Sequence, residues 1–108
     1  MAGRQSYLGE FEQVVLLAVA RLKNDAYGMS VRAEIVERSG REVTIGAMYA
    51  TLDRLVAKGY LRSRDETSEG RPRRFFAITS AGVEALESAR ELQARMWAGV
   101  RFPKQGRR

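Results

Sequence analysis

The 108-residue chain contains no cysteine and no histidine. Their absence excludes disulfides, thiolate and imidazole metal ligands, thiol redox sensing, the usual imidazole general base and a histidine-based pH switch near neutrality. The Ser, Lys and Glu residues that remain show no catalytic spacing, so neither an enzyme nor a cofactor is expected. Long apolar runs are missing as well. The longest, Val14 to Ala20, is too short to span a bilayer and follows Glu10 and Glu12. Neither a transmembrane segment nor a signal peptide is read here, and a cytoplasmic protein without membrane contact is expected.

What is present describes a small folded unit with a positive surface. Hydrophobic residues make up 44% and charged residues 30% of the chain, a balance typical of globular rather than disordered proteins. The length suits one domain, small enough that pairing with a second copy would add useful buried surface. Lys and Arg outnumber Asp and Glu by 19 to 13, for a net charge of +6, which favours contact with nucleic acid or another polyanion.

The stretch "LGEFEQVVLLAVARLK" (8–23) repeats apolar residues at Leu8, Phe11, Val15, Val19 and Leu22 and predicts a helix, with Ser6 as a cap. Val14, Leu16, Leu17 and Ala18 widen its apolar surface beyond one stripe, enough to meet a partner chain. "NDAYG" reads as a turn, and "MSVRAEIVERSG" predicts a short second helix stopped by Gly40. After a β-prone "REVT", Thr44 caps a third helix through "IGAMYATLDRLVAKG", ended by Gly59. "YLRSRD" and "RRFFAIT" read as strands joined by an "ETSEGRP" turn. Thr79 or Ser80 then caps a final helix over 80–100, and "RFPKQGRR" is a basic tail.

On the third helix Ile45, Met48, Leu52, Leu55 and Val56 gather on a core side. The opposite side carries Gly46, Ala47, Ala50, Asp53, Arg54 and Ala57. Small side chains let a helix sit deep in a DNA major groove, where an alanine methyl meets a thymine methyl. Tyr49 and Thr51 flank that surface with hydroxyls that could reach phosphate. Small residues are also ordinary helix formers, and Asp53 would repel phosphate unless it pairs with a nearby arginine or accepts from a cytosine amino group. In "SEGRPRRFFAIT", Pro72 favours an extended path that projects Arg71, Arg73 and Arg74 toward a narrow minor groove or phosphate. The alternatives are a solvated turn that keeps a sheet edge soluble, or a nuclear localisation signal in "RPRR". The final helix extends beyond what a compact domain needs. Its Leu92, Met96, Trp97 and Val100, together with Phe11, are candidates for a dimer seam or a small-molecule site.

The residues "IGAMYATLDRLVAKGYL" and "EGRPRRFFAITSAG", with Tyr49, Leu52, Arg54, Leu55, Gly59, Gly70, Arg71, Pro72, Arg73, Thr79 and Gly82 in register, resemble the PadR family of winged-helix transcriptional regulators in its short form. "LGEFEQVVLLAVARL" and "AYGMSVRAEI" resemble the family's first two helices, so the likeness spans about residues 8 to 100. The resemblance implies a homodimer joined by the first and last helices, the third helix in the major groove and the wing in or beside the minor groove. It also implies repression of efflux or detoxification genes, with release by an aromatic or lipophilic effector in some members. Phe75 and Phe76 stand where the family commonly has tyrosines, and Ala50 stands where many members have proline.

The expected fold is mainly α with a small β-hairpin (α+β), a winged helix-turn-helix over 8–79 between a flexible segment at 1–7 and a C-terminal dimerisation helix at 80–100, with the basic tail at 101–108. Double-stranded DNA and a second copy are the expected partners, and a lipophilic or aromatic effector is a further one. Thr44, Ile45, Gly46, Ala47, Tyr49, Ala50, Thr51 and Arg54 are expected to read the groove, with Arg71, Pro72, Arg73 and Arg74 on the wing. No metal site is expected. A winged-helix protein-interaction module or a non-specific nucleic-acid binder is the alternative function.

Overall fold

The computed structural model describes residues 7–104. Ser6, the rest of the segment before residue 7 and the end of the basic tail lie outside the described residues. Helix α1 (Glu10–Leu22) begins at Gly9, whose N–H donates to the Glu12 carboxylate at 2.8 Å, so the first turn is capped by a side chain reaching back from within the helix. A short 3-10 turn (Lys23–Asp25) leads to α2 (Gly28–Ser39), where Ser30 Oγ accepts from the Tyr27 N–H. Gly40 ends α2 in the left-handed conformation, φ 72°, the stop that the sequence suggests. The "REVT" segment forms no strand. It is a connection anchored by buried Val43 and by Arg32 Nε donating to the Val43 carbonyl. Thr44 then caps α3 (Ile45–Ala57) by accepting from the Ala47 N–H.

Strands β1 (Leu61–Ser68) and β2 (Arg71–Ile78) pair antiparallel from Leu61 opposite Ile78 to Ser68 opposite Arg71. The turn is therefore Glu69 and Gly70 alone, shorter than the expected "ETSEGRP". Both residues have positive φ, 54° and 76°, the type I′ combination whose twist matches the strands it joins. Pro72 can sit inside β2 because alternation from the Ser68–Arg71 pair puts it where no ladder N–H is needed. The hairpin is also stitched to the helices: Tyr27 bridges to Phe75, and the Phe76 N–H donates to the Ala26 carbonyl at 2.8 Å. Thr79 caps α4 (Ser80–Trp97), accepting from the Gly82 N–H and donating to the Gly59 carbonyl.

One core joins these elements. Val15, Leu16 and Val19 of α1 meet Val31 and Ile35 of α2, Met48, Leu52 and Leu55 of α3, and Leu61 and Phe76 of the hairpin. Burying each of the larger side chains is worth about 1.5–3 kcal/mol, so this cluster fixes the mutual placement of α3 and the hairpin. The second half of α4 leaves that core: every residue from Glu91 to Val100 is exposed. The radius of gyration, 16.7 Å, exceeds the roughly 13 Å of a compact chain of this size, as a projecting helix requires.

Candidate nucleic-acid interface

The outward face of α3 is small and open. Gly46, Ala47 and Ala50 are exposed, and a Cβ built on Gly46 would meet nothing within 4 Å. Thr44 and Tyr49 flank this face; the Tyr49 ring lies against Gly28, where a Cβ would collide with it. Ile45, expected in the core, is half exposed because it opens the helix beyond the edge of the buried cluster. Thr51 departs further from expectation. It is 3% exposed, its hydroxyl donates to the Ala47 carbonyl one turn back and accepts from Arg54 Nη2, so it is turned away from any phosphate. Arg54 also reaches inward, donating from Nε to Glu12 at 3.2 Å.

Glu12 is the hub of that inner contact. One oxygen accepts from Gly9, while the other accepts from Arg54 and, at 2.9 Å, from Lys58. Burial raises its pKa, but the bonds from Lys58, Gly9 and Arg54 together lower it below the usual glutamate value. The carboxylate thus stays ionised and ties the start of α1 to the second half of α3.

The wing arginines divide. Arg71 is exposed and has no acidic partner among the described residues. Arg73 is half buried, with its guanidinium 4.2 Å from the centre of the Tyr27 ring. Arg74 donates from Nη1 to Asp53 at 2.8 Å and lies over Phe76 at 4.9 Å. Pro72 is exposed in the strand between them. Sequence reasoning missed Arg62 and Arg64. Residues opposite each other share a sheet face, so Arg62, Arg64, Arg71 and Arg73 lie on one side of the hairpin, a pattern legible from strand alternation once the register is known. Glu66 tempers that face by pairing with Arg64, and Glu69 puts an acid in the turn itself.

At the far end, Leu92, Met96 and Trp97 are exposed at 42%, 69% and 59%. The helix stops at Trp97, short of the expected Val100, because Gly99 turns left-handed at φ 77° and the Val100 N–H donates back to the Trp97 carbonyl. That turn brings Phe102 edge-on to Trp97, ring centres 6.1 Å apart, a contact the reading of 101–108 as a basic tail did not anticipate. Phe11 is only half exposed, packed against the core. A separate groove of about 230 Å³ lies between α1 and α2, with Val14, Leu17 and Ile35 in its lining and Glu34 on its rim, held by Arg21 and Arg38. Among the described residues no cluster of acids has metal-binding form, and no helix is long and apolar enough to cross a membrane.

Comparison with known proteins places this geometry. The model of the transcriptional regulator PadR-like family matches residues 16–88, from α1 into α4. The transcriptional regulator Rv3488 of Mycobacterium tuberculosis is 39% identical over 67 residues, 62% of each chain. The chain spans 62% and 23% of the lengths of the two curated relatives that it matches. Among solved structures, a PadR family transcription regulator from Clostridium difficile R20291 superposes with a TM-score of 0.68 at 23% identity, covering 80% of this chain and 90% of that one. F93 from STIV, a winged-helix DNA-binding protein, superposes with a TM-score of 0.66 at 19% identity, covering 89% of this chain and 100% of that one. The three-helix core, the hairpin that follows it and the family match agree: this chain has a winged-helix fold and belongs to the transcriptional regulator PadR-like family.

Proposed function

We propose that the protein is a homodimeric, sequence-specific repressor that reads the DNA major groove with the face of α3 bearing Thr44, Ile45, Gly46, Ala47, Tyr49 and Ala50, while Arg71 and Arg62 contact the phosphate backbone beside it. The observation that carries the reading is the joining of a small, exposed helix face to a basic hairpin face by a shared core. A groove about 12 Å wide admits an α-helix, short leading side chains let its backbone lie close to the base edges, and the hairpin arginines supply charge that would hold it there. The exposed Leu92, Met96 and Trp97 support pairing of two copies through α4, which would present two α3 helices to two half-sites near one helical turn apart. The same apolar end suits an aromatic or lipophilic effector, which would make a detoxification or transport gene a fitting target in the cytoplasm.

Ala50→Leu tests the reading. Ala50 is exposed, so the fold tolerates the change, but the added bulk meets the floor of the groove. Affinity for the preferred duplex is expected to fall at least tenfold, with non-specific affinity nearly unchanged; an equal fall for both duplexes would remove α3 from base readout.

A further inference from the structure

Asp53 lies seven residues after Gly46 and three after Ala50, so its carboxylate edges the same exposed stripe of α3. A free carboxylate there would face a DNA duplex with the wrong sign. The structure supplies its counter-charge from another element: Arg74 of β2 donates to Asp53 Oδ1 at 2.8 Å across a separation of 21 residues. Arg74 is steadied from beneath as well, since its guanidinium rests over the ring of Phe76, a core side chain only 1% exposed. Arg71, on the opposite sheet face, has neither constraint. Pairs this exposed add little to folding stability. The contact does join the two elements that the proposed DNA reading needs in register.

We infer that Arg74 and Asp53 form a latch between the hairpin and the recognition helix: Arg74 is a positioning residue that cancels the Asp53 charge and sets the wing against α3, rather than a ligand of DNA phosphate. This inference rests on the proposed DNA-reading role of α3. If Arg74 acts through Asp53, its removal harms binding only while Asp53 is charged. A phosphate ligand is lost regardless of residue 53, and each phosphate contact contributes about 0.9 to the slope of log affinity against log salt.

The experiment is a double-mutant cycle on the full chain, comparing wild type, Arg74→Ala, Asp53→Asn and the double variant against a duplex selected by the wild type, titrated across salt. Arg74→Ala alone is expected to weaken binding about tenfold with its salt slope unchanged, and to cost less than about twofold in the Asp53→Asn background. Equal losses in both backgrounds, with a slope lowered by about one, would overturn the latch and make Arg74 a phosphate contact. Circular dichroism of the four proteins separates a binding defect from a folding defect, and Arg71→Ala serves as the variant expected to change the slope. A wild type with no preferred duplex would defeat the DNA reading itself, and the latch with it. A preferred duplex with additive losses would defeat the latch alone.

Discussion

Glu12 shows how one side chain carries structure across two elements. It caps α1 through Gly9 and holds Arg54 and Lys58 at the end of α3, with a pKa that burial raises but these bonds bring down overall. A carboxyl whose folded pKa is depressed adds stability above its unfolded value, near 4.5, and that stability is lost as pH falls through the lower folded value. Glu12→Gln is expected to lose about 1 kcal/mol at pH 7, discounted for the exposure of Arg54, and the gap from wild type should close as melts are taken from pH 5 toward pH 3. A gap that stays constant with pH would mean the carboxylate charge is not its source. Arg71 makes the complementary case of a residue without structural duty. Arg71→Ala is expected to leave the melting temperature unchanged, to weaken binding to all duplexes alike and to lower the salt slope by about 0.9. The sequence marked three wing arginines as equals. It could not distinguish them, because the partners of Arg73 and Arg74 are Tyr27 and Asp53, brought near only by folding.

Elements were legible where their signals are local. Thr44 and Thr79 cap as their positions before helical periodicity suggest, and Gly40 and Gly59 end helices with positive φ. The hairpin turn was harder: the expected turn "ETSEGRP" includes Pro72, whereas the pairing puts Pro72 inside β2 with its missing N–H facing away from the ladder. Thr51 misled for a related reason: its hydroxyl is spent on the helix's own backbone, a choice invisible to a helical wheel. The junction between hairpin and α4 depends on Gly82, where a Cβ would collide with the Tyr60 carbonyl oxygen. That carbonyl cannot easily retreat, because it accepts from the Thr79 N–H. Gly82→Ala is therefore expected to destabilise the fold by about 1–3 kcal/mol despite its better helix propensity, read as a lower denaturation midpoint; a more stable variant would show that propensity outweighs the clash.

At the scale of the molecule, the chain is asymmetric: a packed winged helix at one end and a bare apolar helix end at the other. The exposed Met96 and Trp97, with Phe102 folded over one ring edge, bury too little within one chain to account for their size. Trp97→Asp is expected to shift the protein from dimer toward monomer in sedimentation and to reduce DNA affinity steeply, because two half-sites would no longer be held by one particle. A variant that sediments like the wild type would place the seam elsewhere. A net charge of +6 favours non-specific attraction to DNA at low salt, so binding alone proves little. The direct test is selection of random duplexes by the purified protein, followed by titration of the winner and a scrambled control as salt is raised. A palindromic winner that keeps a preference of about 10³-fold or more at about 0.15 M salt is the predicted result; affinities that fall together for both duplexes would contradict sequence-specific reading by α3.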